Sequence, residues 1–173
     1  MSSPEKINPV KLFVGCIYSD ENVLQNTKNL LEKKIGPFDF ESDIFSFSTP
    51  TKYYENEMGE NLKKIFLSFK NLVCPTFLAD AKNITNDLEN ELSLNNRRTI
   101  NLDAGYIDYN KVVLASYKYG SQKIYIGKNV WADLTLFYSK GTFSSFSWSF
   151  PDFKDDKYYK TLFKIRELLK KKI

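Results

Sequence analysis

Two polar stretches of this chain carry the residue types that could do chemistry together. Tyr54 and Glu57 lie in one, and Arg98, Asn101, Asp103 and Lys111 in the other. A phenol, carboxylates, an amide, a guanidinium and an ammonium set among apolar segments can hold a phosphorylated or nucleotide-like small molecule. Asp133, between Trp131 and Thr135, adds a carboxylate to that of Asp103. Two converging carboxylates would suit Mg²⁺ bound with substrate phosphates, and each also reads as a solvent-facing or lysine-paired charge. No cofactor motif is evident, so Mg²⁺ is the one ion the pattern suggests.

Arginine usage sharpens the set. The chain holds 22 lysines but only three arginines, Arg97, Arg98 and Arg166. Such a bias keeps arginine where a planar, bidentate fork is required. Arg98 leads into Asn101 and Asp103, so it either grips an anionic group of a ligand or forms an internal salt bridge with Glu55, Glu57 or Asp103. Tyr53, Tyr54 and Tyr106 flank these groups and could wall a ring, or simply pack in the core.

The absent residue types exclude more than the present ones suggest. There is no histidine, which removes Ser-His-Asp and Cys-His catalysis and every zinc site that needs imidazole. Acid–base work must come from Asp, Glu, Lys, Tyr or Cys. Cys16 and Cys74 lie in apolar segments and match no metal spacing; they are expected to be buried free thiols in a reducing compartment.

These groups must be positioned by an ordered set of elements. Lys11–Tyr18 is a near-continuous apolar run and reads as a central strand buried on both faces. Ser19 can cap a helix that Gly36-Pro37 stops. Phe38–Phe47 reads as a strand with a bulge near Glu41-Ser42, and Lys63–Phe69 as another strand with a helical alternative. Between them, 49–59 is a polar connection. Pro75 opens a second helix running to about Leu94. Thr99–Asp103 is a strand, Gly105-Tyr106 a turn, and Tyr109–Lys118 a helix capped by Asp108. Strands over Gln122–Ile126, Val130–Tyr138 and Thr142–Ser149 follow. Phe146, Trp148 and Phe150 are expected to form a core stripe. From Asp155 the last helix places Tyr158, Leu162, Ile165 and Leu169 inward.

The expected fold is α+β, a single domain over 1–173 on a largely antiparallel mixed sheet. A ferredoxin-like β-α-β-β-α-β first part is followed by α-β-β-α. Residues 1–10 are expected to be flexible, and 170–173 to form a basic tail.

Charge is distributed unevenly. Residues 154–173 carry eight Lys/Arg against three Asp/Glu, while the rest carry seventeen against eighteen. The excess of +4 therefore sits on the last helix, and nucleic acid would be held only nonspecifically there. No apolar run approaches the roughly 20 residues that span a bilayer. Nothing at the N-terminus resembles a signal peptide, so a cytoplasmic location and no membrane partner are expected.

Several segments carry a resemblance: Lys11-Leu-Phe-Val-Gly15, Tyr53-Tyr-Glu-Asn-Glu-Met-Gly59, Phe66-Leu-Ser-Phe69, Asn101-Leu-Asp-Ala-Gly-Tyr106 and Lys111-Val-Val-Leu-Ala-Ser116. They continue through Ile124-Tyr-Ile-Gly127, Asp133-Leu-Thr-Leu136 and Trp148-Ser-Phe-Pro-Asp152. In this order they resemble the prokaryotic domain of unknown function family 4416, across nearly the whole chain. The resemblance implies no established activity. Ala104 stands where that family usually has proline, and Gln122-Lys123 where it usually has His-Arg, which favours a binding or structural role at that position. Members often carry a GTP-binding label, and the residues speak against a conventional GTPase: no G-x-x-x-x-G-K-[ST] occurs, and the seven glycines never fall closer than seven residues apart.

The leading reading is a cytoplasmic protein that binds or acts on a phosphorylated or nucleotide-like small molecule through Tyr54, Glu57, Arg98, Asn101, Asp103 and Lys111. Whether it is an enzyme stays open, as does its oligomeric state. The alternative is a non-catalytic protein- or RNA-interaction module.

Overall fold

A computed structural model describes every residue except 1, 2, 4, 49–52 and 173. Part of the flexible segment expected over 1–10 and part of the connection expected over 49–59 lie outside the described residues. Strand β1 (Val10–Tyr18) is buried along its whole length, as a β-branched and aromatic run between two strands should be. It lies between β4 (Lys63–Val73) and β5 (Ile100–Ile107), antiparallel to both. Beyond β4 lie β2 (Phe38–Glu41) and the two-residue β3 (Phe45–Ser46). Beyond β5 come β6 (Lys111–Ser116), β8 (Trp131–Ser139) and, on β8, the short strands β7 (Ile124–Tyr125) and β9 (Thr142–Ser145). Every pairing among the described residues is antiparallel.

Strand alternation divides the core between the two faces. Leu12, Val14, Cys16 and Tyr18 meet Leu24 and Leu31 of α1 (Glu21–Lys34) and Leu78, Ala81 and Leu88 of α3 (Phe77–Glu91). Phe13 and Phe66 face the other way, onto Phe153 of α4 (Pro151–Lys154) and Tyr158, Leu162 and Ile165 at the head and inner stripe of α5 (Tyr159–Lys170). Tyr158, Leu162, Ile165 and Leu169 are all buried, at the helical spacing read from the sequence. Among the described residues no helix is long and apolar enough to cross a membrane.

The chain departs from expectation at several points, the first being the α1 cap, which is Asp20 and not Ser19. Residues 109–118 are not a helix but the turn and strand of the β5–β6 hairpin, so the second half does not run α-β-β-α. Asp108 accepts the backbone N–H groups of Asn110 and Lys111 at 2.8 Å, closing a turn where it was expected to cap a helix. Val112 and Val113 then favour the strand. Gly105-Tyr106 is not a turn but lies within β5. A Cβ on Gly105 would stand 2.7 Å from Leu114 and Phe13, so glycine serves close packing there. A short helix α2 (Tyr53–Met58) occupies part of the polar connection. β9 ends at Ser145, and the Phe146–Phe150 stripe is not core: Trp148 is 43% exposed and stacks flat on Phe146. Cys16 is buried, but Cys74 is exposed. In the basic segment at 170–172, the Lys172 ammonium reaches Asp39 and the Lys70 carbonyl.

Candidate ligand site

Two neighbouring strands part company near the middle of the sheet. β5 pairs with β6 only at Gly105–Leu114, Tyr106–Val113 and Ile107–Val112. β5 nevertheless stays on β1 as far as Ile100, and β6 stays on β8 as far as Ser116. From Asp103 down one side and Ala115 down the other, the two ladder edges face a gap. Glu89 of α3 helps hold the gap open, because its carboxylate accepts the Leu102 N–H at 2.5 Å. A cavity of about 340 Å³ occupies this end of the sheet, a size that suits a small ligand.

Its floor is set by register across three strands. Lys64 of β4, Ile17 of β1 and Asn101 of β5 form one row, and Phe66, Gly15 and Asp103 form the next. Asn101 and Asp103 therefore face the same side, two residues apart. Asn101 is 4% exposed; its Oδ1 accepts from Arg98 Nη1 at 2.5 Å, and its Nδ2 is buried without a partner among the described residues. Asp103 lines the cavity with no hydrogen-bond or ion-pair partner among the described residues. Tyr54, from α2, also lines it. Burial, then the Asp103 carboxylate, raises the pKa of the Tyr54 phenol.

The sequence reading did not identify Lys64. Its side chain is 2% exposed, and its ammonium donates to Asp152 of α4 at 2.7 Å. The rings of Phe47, Phe66, Phe153 and Tyr158 stand around it, 4.9–5.4 Å from the nitrogen. A signal was present: strand alternation puts Lys64 on the same face as Phe66, an apolar position.

Arg98 sits at the border between this cavity and a second, polar depression that also takes in Glu57 and Glu89. Its Nε lies 3.2 Å from Glu57, Nη1 bonds Asn101, and Nη2 bonds the Tyr53 hydroxyl at 3.2 Å. Burial opposes its charge, yet Glu89, Glu57 and Tyr53 raise its pKa. The internal salt bridge weighed for Arg98 is therefore present, with Glu57 as the partner.

Three other candidates lie elsewhere. Lys111 pairs with Asp108 at the opposite end of β6, about 17 Å along the strand from Ser116. Tyr106 packs on the α1/α3 face, away from the cavity. Asp133 is buried beside Lys123, 3.3 Å away. It is level with Gly105 across β6, so it lies two strand spacings, roughly 9–10 Å, from β5. Asp103 and Asp133 share a sheet face but are not brought together, and among the described residues no three His, Cys, Asp or Glu cluster to hold a metal ion.

A family model described as Domain of unknown function (DUF4416) matches residues 8–169, and the chain belongs to that family. No curated protein and no solved structure matches the chain.

Proposed function

We propose that this member of the DUF4416 family binds a phosphorylated or nucleotide-like small molecule in the cleft between β5 and β6. The observation that carries the reading is the Asn101 amide: the residue lines the cavity, its orientation is fixed by Arg98, and its buried Nδ2 has no acceptor among the described residues. An unmet buried donor costs about 1–3 kcal/mol, which a ligand oxygen would relieve. Asp103 beside it awaits a donor. Tyr53, Tyr54 and Tyr117 supply an aromatic wall, and Lys82 and Lys118 supply positive charge for a phosphate. Mg²⁺ would enter with that phosphate at Asp103 rather than between Asp103 and Asp133. The unpaired cysteines fit a cytoplasmic setting.

A thermal-shift panel of nucleotides and phosphorylated metabolites, with and without Mg²⁺, tests the proposal. A true ligand at 100 times its Kd stabilises the fold by about 2.7 kcal/mol. A panel in which no compound raises the melting temperature counts decisively against it.

A second reading, a non-catalytic protein- or RNA-interaction module, is favoured by Tyr119, Ile124 and Tyr125. They stand exposed on and beside the edge strand β7. RNA binding at low salt that vanishes when Tyr119 and Tyr125 are both changed to serine would promote this reading. Binding that depends only on the outward lysines of α5 would be nonspecific attraction.

A further inference from the structure

The charged groups around the cleft differ in how they are engaged. Lys64 is buried and donates to Asp152, half-buried Arg98 is held by Glu57 and Asn101, and half-buried Asp103 has no partner among the described residues. Gly15 lets them approach: the Lys64 Cε crosses 3.4 Å from where a Gly15 Cβ would stand, toward the row that holds Asp103. Two cations of the lining are left without an ion-pair partner among the described residues: Lys82 is half-buried, Lys118 is exposed, and Glu89, the carboxylate near Lys82, is engaged by the Leu102 N–H.

The inner end therefore presents acceptor oxygens at Asp103 and Asp152 and, at Asn101, a buried donor that has no partner among the described residues. A hydroxyl both donates and accepts, so neighbouring hydroxyls satisfy both demands at once. An ammonium or a bare phosphate satisfies only one of them. The outer end presents ammonium groups that suit a phosphate.

We infer that the cleft takes a phosphorylated polyol of sugar-phosphate size, with its hydroxyls inward on Asp103 and Asn101 and its phosphate outward on Lys82 and Lys118. This rests on the small-ligand reading above and adds the class and orientation of the ligand. A free sugar phosphate and the ribose-phosphate part of a nucleotide share this chemistry.

Titration calorimetry on the full chain tests it with three probes: ribose 5-phosphate, AMP and n-pentyl phosphate. Ribose 5-phosphate should bind more tightly than n-pentyl phosphate. Asp103→Asn should weaken ribose 5-phosphate about ten- to hundredfold, the range of a charged hydrogen bond, and leave n-pentyl phosphate unchanged. The double variant Lys82→Ala/Lys118→Ala should weaken both. AMP binding more tightly than ribose 5-phosphate assigns the site to a nucleotide, and equal binding assigns it to a sugar phosphate. Asp103→Asn acting equally on both phosphates, or on neither, overturns the orientation while the small-ligand reading stands. The inference also fails alone if none of the three binds and another panel compound raises the melting temperature. Silence from the whole panel overturns both. As a folding control, Asp103→Asn should melt no lower than the natural chain, since among the described residues Asp103 has no partner to lose.

Discussion

Glu89 and Leu102 make a bond that belongs to neither helix nor sheet: the helix carboxylate accepts the strand N–H at 2.5 Å, where β5 has no registered partner on β6. A β5 edge left bare at the cleft would need water or a ligand. One carboxylate from α3 meets that need at Leu102 and couples the helix to the mouth of the site.

Replacing Glu89 separates its two roles. Glu89→Ala orphans the Leu102 N–H and should lower stability by about 1–3 kcal/mol in denaturant titration. Glu89→Gln keeps an acceptor and should be milder. Burial is the largest cause of the raised Glu89 pKa, partly offset by Lys82 and the Leu102 N–H. A raised carboxyl pKa adds stability that is full below the ordinary value of 4.5 and is lost as pH rises through the folded value. The Gln variant should therefore gain on the natural chain as pH is raised through that window. A stability difference between the two that does not change with pH would refute the coupling.

Arg98→Lys should lower the melting temperature of the unliganded protein. The guanidinium reaches Glu57, Asn101 and Tyr53 from three nitrogens, and a lysine ammonium lacks that planar fork. Losing two of those contacts amounts to about 1–3 kcal/mol, several degrees for a chain this long. Unchanged melting would mean the fork is not part of the fold's support.

Lys11 is fully buried and ion-paired to Asp39, which Ser68 and Lys172 also engage. Burial raises the Asp39 pKa, but hydrogen bonds from Lys11 and Ser68 and the Lys11 charge outweigh it, and the net shift is downward. The stability this gives is present above the ordinary value of 3.8 and is lost as pH falls through the folded value. Asp39→Asn should cost about 3–5 kcal/mol at neutral pH by stranding the Lys11 ammonium, and should flatten the acid limb of the stability curve. An unaltered acid limb would point to other carboxylates.

Periodicity made the principal strands and the three long helices legible, because a buried face imposes its spacing on the sequence. It failed at Asp108, whose side chain serves a helix cap and a tight turn equally well, and at Gly105, where packing against Phe13 and Leu114 imitates a turn signal. Tyr54, Glu57, Arg98, Asn101 and Asp103 were legible as polar residues among apolar ones, and the structure places all five at the cavity or the adjoining depression. Lys111 carries the same local signal, but strand direction takes it to the far end of β6. Arginine scarcity did point to forks, and these serve the fold: Arg98 holds Glu57, and Arg166 bonds the Tyr109 carbonyl while lying 3.7 Å over the Tyr138 ring. Lys64 and Asp152 stand 88 residues apart, and no local pattern joins them.

That pair gives the sharpest test of how the cleft is built. Lys64→Met keeps an unbranched apolar stem among the four rings, where sulfur packs well, but strands the largely buried Asp152 carboxylate. Asp152→Asn strands the Lys64 ammonium instead. Each single change should cost about 3–5 kcal/mol, the penalty for an uncompensated buried charge. The double variant Lys64→Met/Asp152→Asn carries no stranded charge, so its loss should fall well short of the sum, with a coupling of about 1–3 kcal/mol. Denaturant unfolding of the four proteins at neutral pH measures it directly. Additive single losses would mean that the two groups are solvated independently and that the aromatic cage around Lys64 is not closed in solution.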